Sequence, residues 1–301
     1  MSSLVASSDV SDELDRLCVG SSSSDSKKKK SIHDVNESEV LLEFLKKNPE
    51  IDAQELRQRQ YLYDAVFSSF PVHYGKQVSR LARDLQKFRS SSLVYGEISY
   101  ASFFATLKKV EGAKGTFYDL GSGAGKPCIA AATMGLFDRC VGLEFLKDLV
   151  DASLEAKIKF ETVLKDRPKI RDAFFAEKEC NIDFLEADIT DFNVYDWSDG
   201  DVVFANSTCF DDNLMDAIAN KAKHLRKNAT FITFTKKLPS PHFQVTDTKL
   251  YHMSWGGATV FIQTKINDPV DVEEDDDDRT PVSKGWLQAA HHHNNDDDGS
   301  P

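Results

Sequence analysis

The sequence predicts an α/β fold: a mostly parallel seven-stranded sheet with helices on both faces, a C-terminal antiparallel hairpin and an N-terminal helical lead-in. Three observations predict it. Short apolar runs alternate with helical patterns after Leu93, a glycine-rich turn follows the first run, and two longer strand patterns flank Gly256-Gly257. Strands separated by helices pair in parallel, whereas strands joined by a short turn pair antiparallel.

The lead-in is predicted from the spacing of its apolar residues. Helices are expected around residues 40–45, 62–67 and 78–88, where apolar side chains recur with helical spacing before the Ser90-Ser91-Ser92 break. A further helix is expected from Ser99 to about Lys109. We expect the lead-in to pack on the sheet.

The sheet elements follow in alternation. The predicted strands are residues 116–120, 139–144, 182–186, 201–205, 229–235, 244–253 and 259–265. Helices are expected to open near Pro127, which suits a first turn, and to cover residues 147–165 and 212–224. Ligands of such sheets bind beyond the carboxyl ends of the parallel strands, so chemistry is expected there.

Composition divides the chain further. Residues 1–35 and 267–301 are expected to be disordered tails, residues 36–92 the helical lead-in and residues 93–266 the catalytic sheet domain. The net charge of −12 is concentrated in the second tail, where Asp271 to Pro301 holds ten acids and two basic residues. That tail either contacts basic proteins such as histones or is only solvated. The Lys27–Lys30 run is a nuclear localisation signal, a contact to a phosphate backbone, or only solvated.

Several classes of protein are excluded by composition. No apolar run approaches the ~20 residues that span a bilayer, and the Ser-rich N-terminus resembles no signal peptide, so we expect a soluble, intracellular chain without a membrane partner. Five cysteines form no C-x-x-C pair, which argues against a disulfide framework and a zinc site. The histidines at 291–293 fix no coordination geometry, and no metal is expected.

The turn after the first strand carries the clearest chemical signal. Asp119, Gly121, Gly123 and Gly125 form an acid-x-Gly-x-Gly-x-Gly pattern, and Glu144 ends the next predicted strand. Glycines let the backbone approach a ligand without Cβ interference, and an acid at the tip of the second strand binds two ribose hydroxyls. The combination predicts a nucleoside cofactor.

Two other glycine loops fail on spacing. A dinucleotide fingerprint requires a glycine at position 126, which is Lys126, and a phosphate-binding loop requires four residues between its glycines, whereas Gly121 and Gly125 enclose three. The remaining pattern is typical of Rossmann-like, class I methyltransferases that use S-adenosylmethionine. Asp119 would then lie near the methionine end of the cofactor and Glu144 near its ribose.

Two further candidates follow later strands. Asp188 either accepts a hydrogen bond from the adenine amino group or is an ordinary helix-capping loop residue. Asn206 follows the fourth strand, and Phe210 lies four residues on. An amide carbonyl there can accept a hydrogen bond from an amine nucleophile while an aromatic wall excludes water. Methyl transfer from a sulfonium needs positioning and loss of the ammonium proton, so no strong base is expected.

Taken in order, these segments resemble one family. They are Tyr95-Gly96-Glu97, Asp119-Leu120-Gly121-Ser122-Gly123, Glu144, Asp188, the Asn206–Phe210 segment and Ser254-Trp255. Over about residues 93–265 the chain is similar to the disruptor-of-telomeric-silencing family, which are histone lysine methyltransferases without a SET domain. Those enzymes act on a lysine of the globular core of histone H3 in the nucleosome.

The resemblance implies roles for fifteen residues. S-adenosylmethionine would be bound by Tyr95, Gly96, Glu97, Asp119, Gly121, Ser122, Gly123, Gly125, Lys126, Glu144, Asp188 and Ile189. The acceptor lysine channel would be lined by Asn206, Phe210 and Trp255. The chain departs from the family pattern in having Lys126 in place of Gln, Thr208 in place of a second aromatic residue, and Phe261 or Ile262 in place of a channel Tyr.

We therefore expect an S-adenosylmethionine-dependent protein-lysine methyltransferase that acts on a core lysine of histone H3 in the nucleus. Two alternatives stay open. One is a methyltransferase for a non-histone protein or a small molecule, in the nucleus or the cytoplasm. The other is a histone-binding module built on an inactive methyltransferase scaffold.

Overall fold

The computed structural model describes residues 32–88, 90–175, 180–253 and 256–270. Almost all of the two predicted tails, and Ser254-Trp255, lie outside these residues. The prediction that Trp255 lines an acceptor channel is therefore not addressed by the structure. The division into tails, lead-in and catalytic domain stays a prediction.

Three helices precede the sheet: α1 (Ile32–Lys47), α2 (Ala53–Phe67) and α3 (Val72–Gln86). Helix α2 begins after Asp52, whose carboxylate accepts hydrogen bonds from the amides of Gln54 and Glu55 and so caps the exposed N–H groups. Helix α3 ends at Lys87, which adopts a left-handed conformation with φ of 58°.

The remaining helices are α4 (Tyr100–Lys108), α5 (Lys126–Thr133), α6 (Lys147–Asp166), α7 (Pro168–Phe175) and α8 (Asp212–Ala222). The strands are β1 (Thr116–Leu120), β2 (Arg139–Glu144), β3 (Asn181–Glu186), β4 (Val202–Ala205), β5 (Thr230–Phe234), β6 (Phe243–Met253) and β7 (Gly256–Lys265). All seven predicted strands are present, and their ends differ from the prediction by at most a few residues. Helix α7 is the one that the sequence patterns did not predict among these.

The strands form one sheet in the order β3-β2-β1-β4-β5-β7-β6. The pairs from β3 to β5 are parallel, and β7 pairs antiparallel with both β5 and β6. The fold class predicted from the sequence, including its C-terminal antiparallel hairpin, is confirmed. Within the described residues, no helix is both long enough and apolar enough to cross a membrane.

The register of the parallel strands brings the predicted site residues to one edge. Leu120 of β1 lies beside Leu143 of β2 on one side and beside Ala205 of β4 on the other. The three strands end level. Glu144, the glycine turn and Asn206 therefore lie side by side, in that order, along the carboxyl edge of the sheet.

The two faces of the sheet are covered differently. Alternate residues of β1 point to opposite sides, so Phe117 packs in a cluster with α2, α4 and α5, whereas Tyr118 packs in a second cluster with α8. In the first cluster the ring of Phe103 contacts Phe204 edge to face at 5.0 Å between centroids. Helix α2 contributes Leu56 to the same cluster, which fixes the lead-in against the sheet.

Candidate functional site

A cleft opens at the carboxyl edge of the parallel strands. It contains about 870 Å³ of empty space, which includes the open solvent at its mouth. Twelve of the predicted site residues line it: Tyr95, Gly96, Glu97, Gly121, Ser122, Gly123, Lys126, Glu144, Asp188, Ile189, Asn206 and Phe210. Asp119 and Gly125 are buried next to these residues but are not part of the lining.

Other residues of the cleft were missed by the motif reasoning: Ser92, Leu93, Val94, Ile98, Pro127, Phe145, Leu149, Ala187 and Leu214. Phe145 and Ala187 directly follow β2 and β3, so their adjacency to the predicted strand ends was an available signal. Leu149 and Leu214 lie in the first turns of α6 and α8, and only the rotation of each helix shows that they face the cleft. These apolar side chains give the cleft flat surfaces suited to an uncharged ring.

The glycine turn folds back over the end of β2. Gly121 and Gly123 have φ of 81° and 55°, a left-handed region that favours glycine. The amides of Gly121 and Ser122 both donate to the carbonyl of Leu143, at 2.8 and 3.0 Å. These N–H groups therefore hold the turn rather than a ligand, and the glycines give the cleft a surface without Cβ atoms. A Cβ at Gly121 would lie 3.3 Å from the ring of Phe210.

Glu144 is oriented by the turn that it supports. Its Oε2 accepts a hydrogen bond from the amide of Gly123 at 2.8 Å, and its Oε1 accepts one from the amide of Leu146 at 2.9 Å. Burial raises the pKa of this carboxyl, and the amide hydrogen bonds partly oppose the increase. A carboxylate has about four acceptor positions, so Glu144 can still bind hydroxyl groups in the cleft.

Two buried polar groups beside the cleft have no hydrogen-bond partner in the described part of the chain. They are Oδ2 of Asp119 and Oγ of Ser122. Burial, and next the negative charge of Glu144, raise the pKa of Asp119 well above its usual range. Since buried polar atoms in native proteins are nearly always paired, these two indicate that a polar ligand completes the site.

The buried Asp119 should make stability depend on pH. Its pKa in the folded protein is above the unfolded value, so the folded state binds more protons between the two values and stability falls as pH rises through that window. We expect Asp119→Asn to raise the free energy of unfolding of the ligand-free protein by roughly 1–3 kcal/mol near pH 8. Below about pH 4 the gain should vanish, because aspartate is then protonated in both states.

Thermal or urea unfolding at both pH values measures this effect. Asp166→Asn is the matched control, because Asp166 is an exposed carboxylate at the end of α6 and its loss should change stability little. A gain for Asp119→Asn that is equal at both pH values, or a loss near pH 8, would contradict the prediction.

Tyr95, Glu97 and Lys126 form a connected polar chain on another wall of the cleft. The hydroxyl of Tyr95 donates to Oε1 of Glu97 at 2.7 Å, and Nζ of Lys126 donates to Oε2 at 2.6 Å. The ammonium of Lys126 also lies 5.3 Å from the ring centroid of Phe67 in α2, a cation–π distance. Burial, and next the charge of Glu97, raise the pKa of Tyr95 well above its usual range, so its hydroxyl stays a donor.

The ring of Tyr95 is held between two glycines. A Cβ on Gly75 of α3 would lie 2.4 Å from the ring, and a Cβ on Gly123 of the glycine turn would lie 2.7 Å from it. Real Cβ atoms do not approach that closely, so a side chain at either position would force the Tyr95 ring to shift. The lead-in helix and the glycine turn are thus in contact through one aromatic ring, which makes the lead-in part of the site.

We expect Gly75→Ala to destabilise the protein by about 1–3 kcal/mol through overpacking. Alanine normally stabilises a helix by up to about 1 kcal/mol relative to glycine, so the sign itself is diagnostic. Tyr95 cannot move away, because Gly123 supports its other face and Glu97 holds its hydroxyl. Urea unfolding measures the stability of Gly75→Ala against that of Gln77→Ala, a variant at an exposed site on the same helix. Equal stability of the two variants would contradict the proposed contact.

Asn206 presents an oriented amide to the cleft. Its Nδ2 donates to the carbonyl of Gly96 at 3.2 Å, and its Oδ1 accepts from the hydroxyl of Thr208 at 3.0 Å. Phe210 stands beside it against Gly121. A carbonyl oxygen with one partner keeps a second acceptor position, so this amide can bind an N–H group.

Asp188 lines the cleft and also holds a turn, although it does not cap a helix. Its Oδ1 accepts hydrogen bonds from the amide of Thr190 at 2.9 Å and from the hydroxyl of Thr190 at 2.7 Å. This is the turn geometry expected of a loop aspartate. Among the residues that the structure describes, no group of three or more His, Cys, Asp or Glu side chains is arranged to hold a metal ion.

The sequence profile of the family described as histone methylation protein DOT1 matches residues 74–255. Solved structures of similar fold include TrmN from Thermus thermophilus, with 16% identity and a TM-score of 0.43 over 62% of this chain and 53% of that chain. M. capricolum TrmK, in complex with the cofactor product S-adenosyl-homocysteine, shows 9% identity and a TM-score of 0.40 over 64% of this chain and 82% of that chain. The match to TrmN thus spans about half of that protein. No curated protein sequence matches the chain.

Proposed function

Because this chain belongs to the histone methylation protein DOT1 family, we propose that it methylates a lysine in the folded core of histone H3, within the nucleus. The family profile matches residues 74–255 of 301, which confirms the resemblance predicted from the sequence. The chain is an S-adenosylmethionine-dependent methyltransferase. The histone acceptor, the nuclear location and the role of each site residue are parts of the proposal.

The oriented amide of Asn206 carries this proposal. S-adenosylmethionine, when bound, supplies a methyl group made electrophilic by the sulfonium. Asn206 would accept a hydrogen bond from the N–H of a neutral acceptor amine, so that the nitrogen lone pair is directed at the methyl group. Phe210 would exclude water from the same space. The chain thus contributes position, and the acceptor ammonium gives its proton to water before transfer.

The cleft residues fit the cofactor in chemical type. Glu144 has acceptor positions left for ribose hydroxyls, and the unpaired oxygens of Asp119 and Ser122 would meet the polar amino acid end. Asp188 would accept from the adenine amino group, and the apolar side chains of Phe145 and Leu149 would face the ring. The remaining predicted binding residues surround these on the glycine turn and on the segment from Tyr95 to Glu97.

One observation favours a second candidate acceptor. Thr208 places a hydroxyl at Asn206 where the family usually has an aromatic ring, so the surroundings of the acceptor amine are more polar. A non-histone protein or a small amine would suit such surroundings. The histone assignment comes from the family, and the acceptor must be identified directly.

Transfer of radiolabel from S-adenosylmethionine identifies the acceptor. The full-length protein is incubated with nucleosomes, with free histones and with whole-cell extract. We expect label on histone H3 of nucleosomes. Label confined to another component of the extract would replace the histone acceptor by the second candidate. Histone binding without label from any source, lost on removal of residues 271–301, would indicate a binding module on an inactive scaffold.

A further inference from the structure

We propose that the hydroxyls of Thr208 and Thr235 set the orientation of the Asn206 amide and are therefore positioning residues for methyl transfer. The inference rests on the proposed role of Asn206 and concerns two residues that no motif singled out for this purpose. We call Thr208 and Thr235 the hydroxyl pair. They lie in the 3₁₀ turn after β4 and directly after β5.

The contacts form an unbroken chain. Oγ1 of Thr208 lies 3.0 Å from Oδ1 of Asn206, and Oγ1 of Thr235 lies 3.1 Å from Oγ1 of Thr208. At its other end the amide of Asn206 contacts the carbonyl of Gly96 at 3.2 Å. Three segments that are distant in the sequence are thus linked by one chain of hydrogen bonds.

The direction of each hydrogen bond follows from the atoms involved. The carbonyl of Gly96 can only accept, so the group of Asn206 that faces it must be the NH₂. Oδ1 of Asn206 then faces Thr208 and can only accept, so the single proton of the Thr208 hydroxyl is used there. Thr235 must therefore donate its proton to Thr208. The resulting order fixes which end of the amide faces the cleft.

The backbone of Thr235 supports a functional placement. Its φ is 70°, a left-handed conformation that is rare and strained for a β-branched residue. The conformation is held because the amide of Thr235 donates to the carbonyl of Thr259 at 2.7 Å, while the preceding carbonyl of Phe234 accepts from Ser207 at 2.6 Å. Asparagine or glycine would relieve the strain but would not place a hydroxyl at Thr208.

Methyl transfer kinetics test the pair. Thr208→Val keeps the shape and removes the hydroxyl, and we expect kcat to fall about tenfold, the effect of one lost hydrogen bond, with the KM and the dissociation constant for S-adenosylmethionine unchanged. Thr208→Ser should recover most of that loss. Thr235→Val should have a smaller effect, because water reaches that exposed end of the chain. The double Val variant should equal Thr208→Val, since Thr235 acts through Thr208.

A second measurement needs no turnover. The side-chain amide signals of Asn206, assigned in a ¹⁵N spectrum by their absence in Asn206→Ala, should shift and exchange faster with solvent in Thr208→Val but not in Thr208→Ser. Unchanged signals in Thr208→Val would overturn the inference even if no acceptor is found. An inactive wild-type protein whose amide signals behave as expected would overturn the proposed function and leave the hydroxyl pair supported. Additive losses in the double Val variant would exclude the role of Thr235.

Discussion

Asn206→Ala should slow methyl transfer by about 10²–10³-fold while the affinity for S-adenosylmethionine stays within about twofold. The size follows from the loss of an oriented acceptor that would bind the amine nucleophile. The affinity should persist because Asp119, the glycine turn and Glu144 lie on β1, β2 and the turns after them, whereas the described hydrogen bonds of the Asn206 side chain are with Gly96 and Thr208. Initial rates with radiolabelled cofactor and calorimetric titration measure the two quantities.

Asn193→Ala is the control for this prediction. Asn193 is exposed in the loop after β3 and bonds only with Asp191 among the described contacts, so its loss should change neither quantity. A turnover in Asn206→Ala that matches that control would remove Asn206 from the mechanism. If Asn206→Ala lost cofactor affinity as well as turnover, the role of Asn206 would instead be to assemble the cleft.

The sheet was predictable because its signals are local. Each strand is a short apolar run that ends at a turn, and the alternation of strands and helices leaves few topologies. Helix α7 shows the limit of this reasoning. It has eight residues, begins at a proline, and packs through Phe175 against Phe160 of α6. Two helical turns contain too few apolar repeats for the sequence pattern to predict a helix. The conformation of this segment is decided by its tertiary contacts.

The site was predictable to the extent that it follows from strand ends. Glu144 and Asn206 were identified because parallel strands bring their carboxyl ends to one edge. The contact of Tyr95 with Gly75 depends on how α3 packs, which no local pattern encodes. The expectation that the backbone of the glycine turn approaches a ligand met a competing partner, since the carbonyl of Leu143 accepts hydrogen bonds from the amides of Gly121 and Ser122. Lys126 was identified as a departure from the family, but its pairing with Glu97 required the fold.

The Glu97–Lys126 pair makes the second large prediction. Both side chains are less than a tenth exposed, so each charge depends on the other. Lys126→Met keeps the length of the side chain but leaves the Glu97 carboxylate buried, with the Tyr95 hydroxyl as its one remaining partner among the described side chains. We expect the free energy of unfolding to fall by about 3–5 kcal/mol at neutral pH. Urea unfolding curves measure this loss.

Two further variants separate burial from charge. Lys147→Met breaks an exposed pair with Asp151, and it should change stability little because solvent screens that pair. Glu97→Gln combined with Lys126→Met removes both charges and should recover most of the stability, because a buried pair replaced as a whole is nearly neutral. If Lys126→Met cost no more than Lys147→Met, the ammonium of Lys126 would be solvated in solution. The wall that joins the lead-in to the cleft would then be held by the Tyr95 ring between its two glycines, without help from the ion pair.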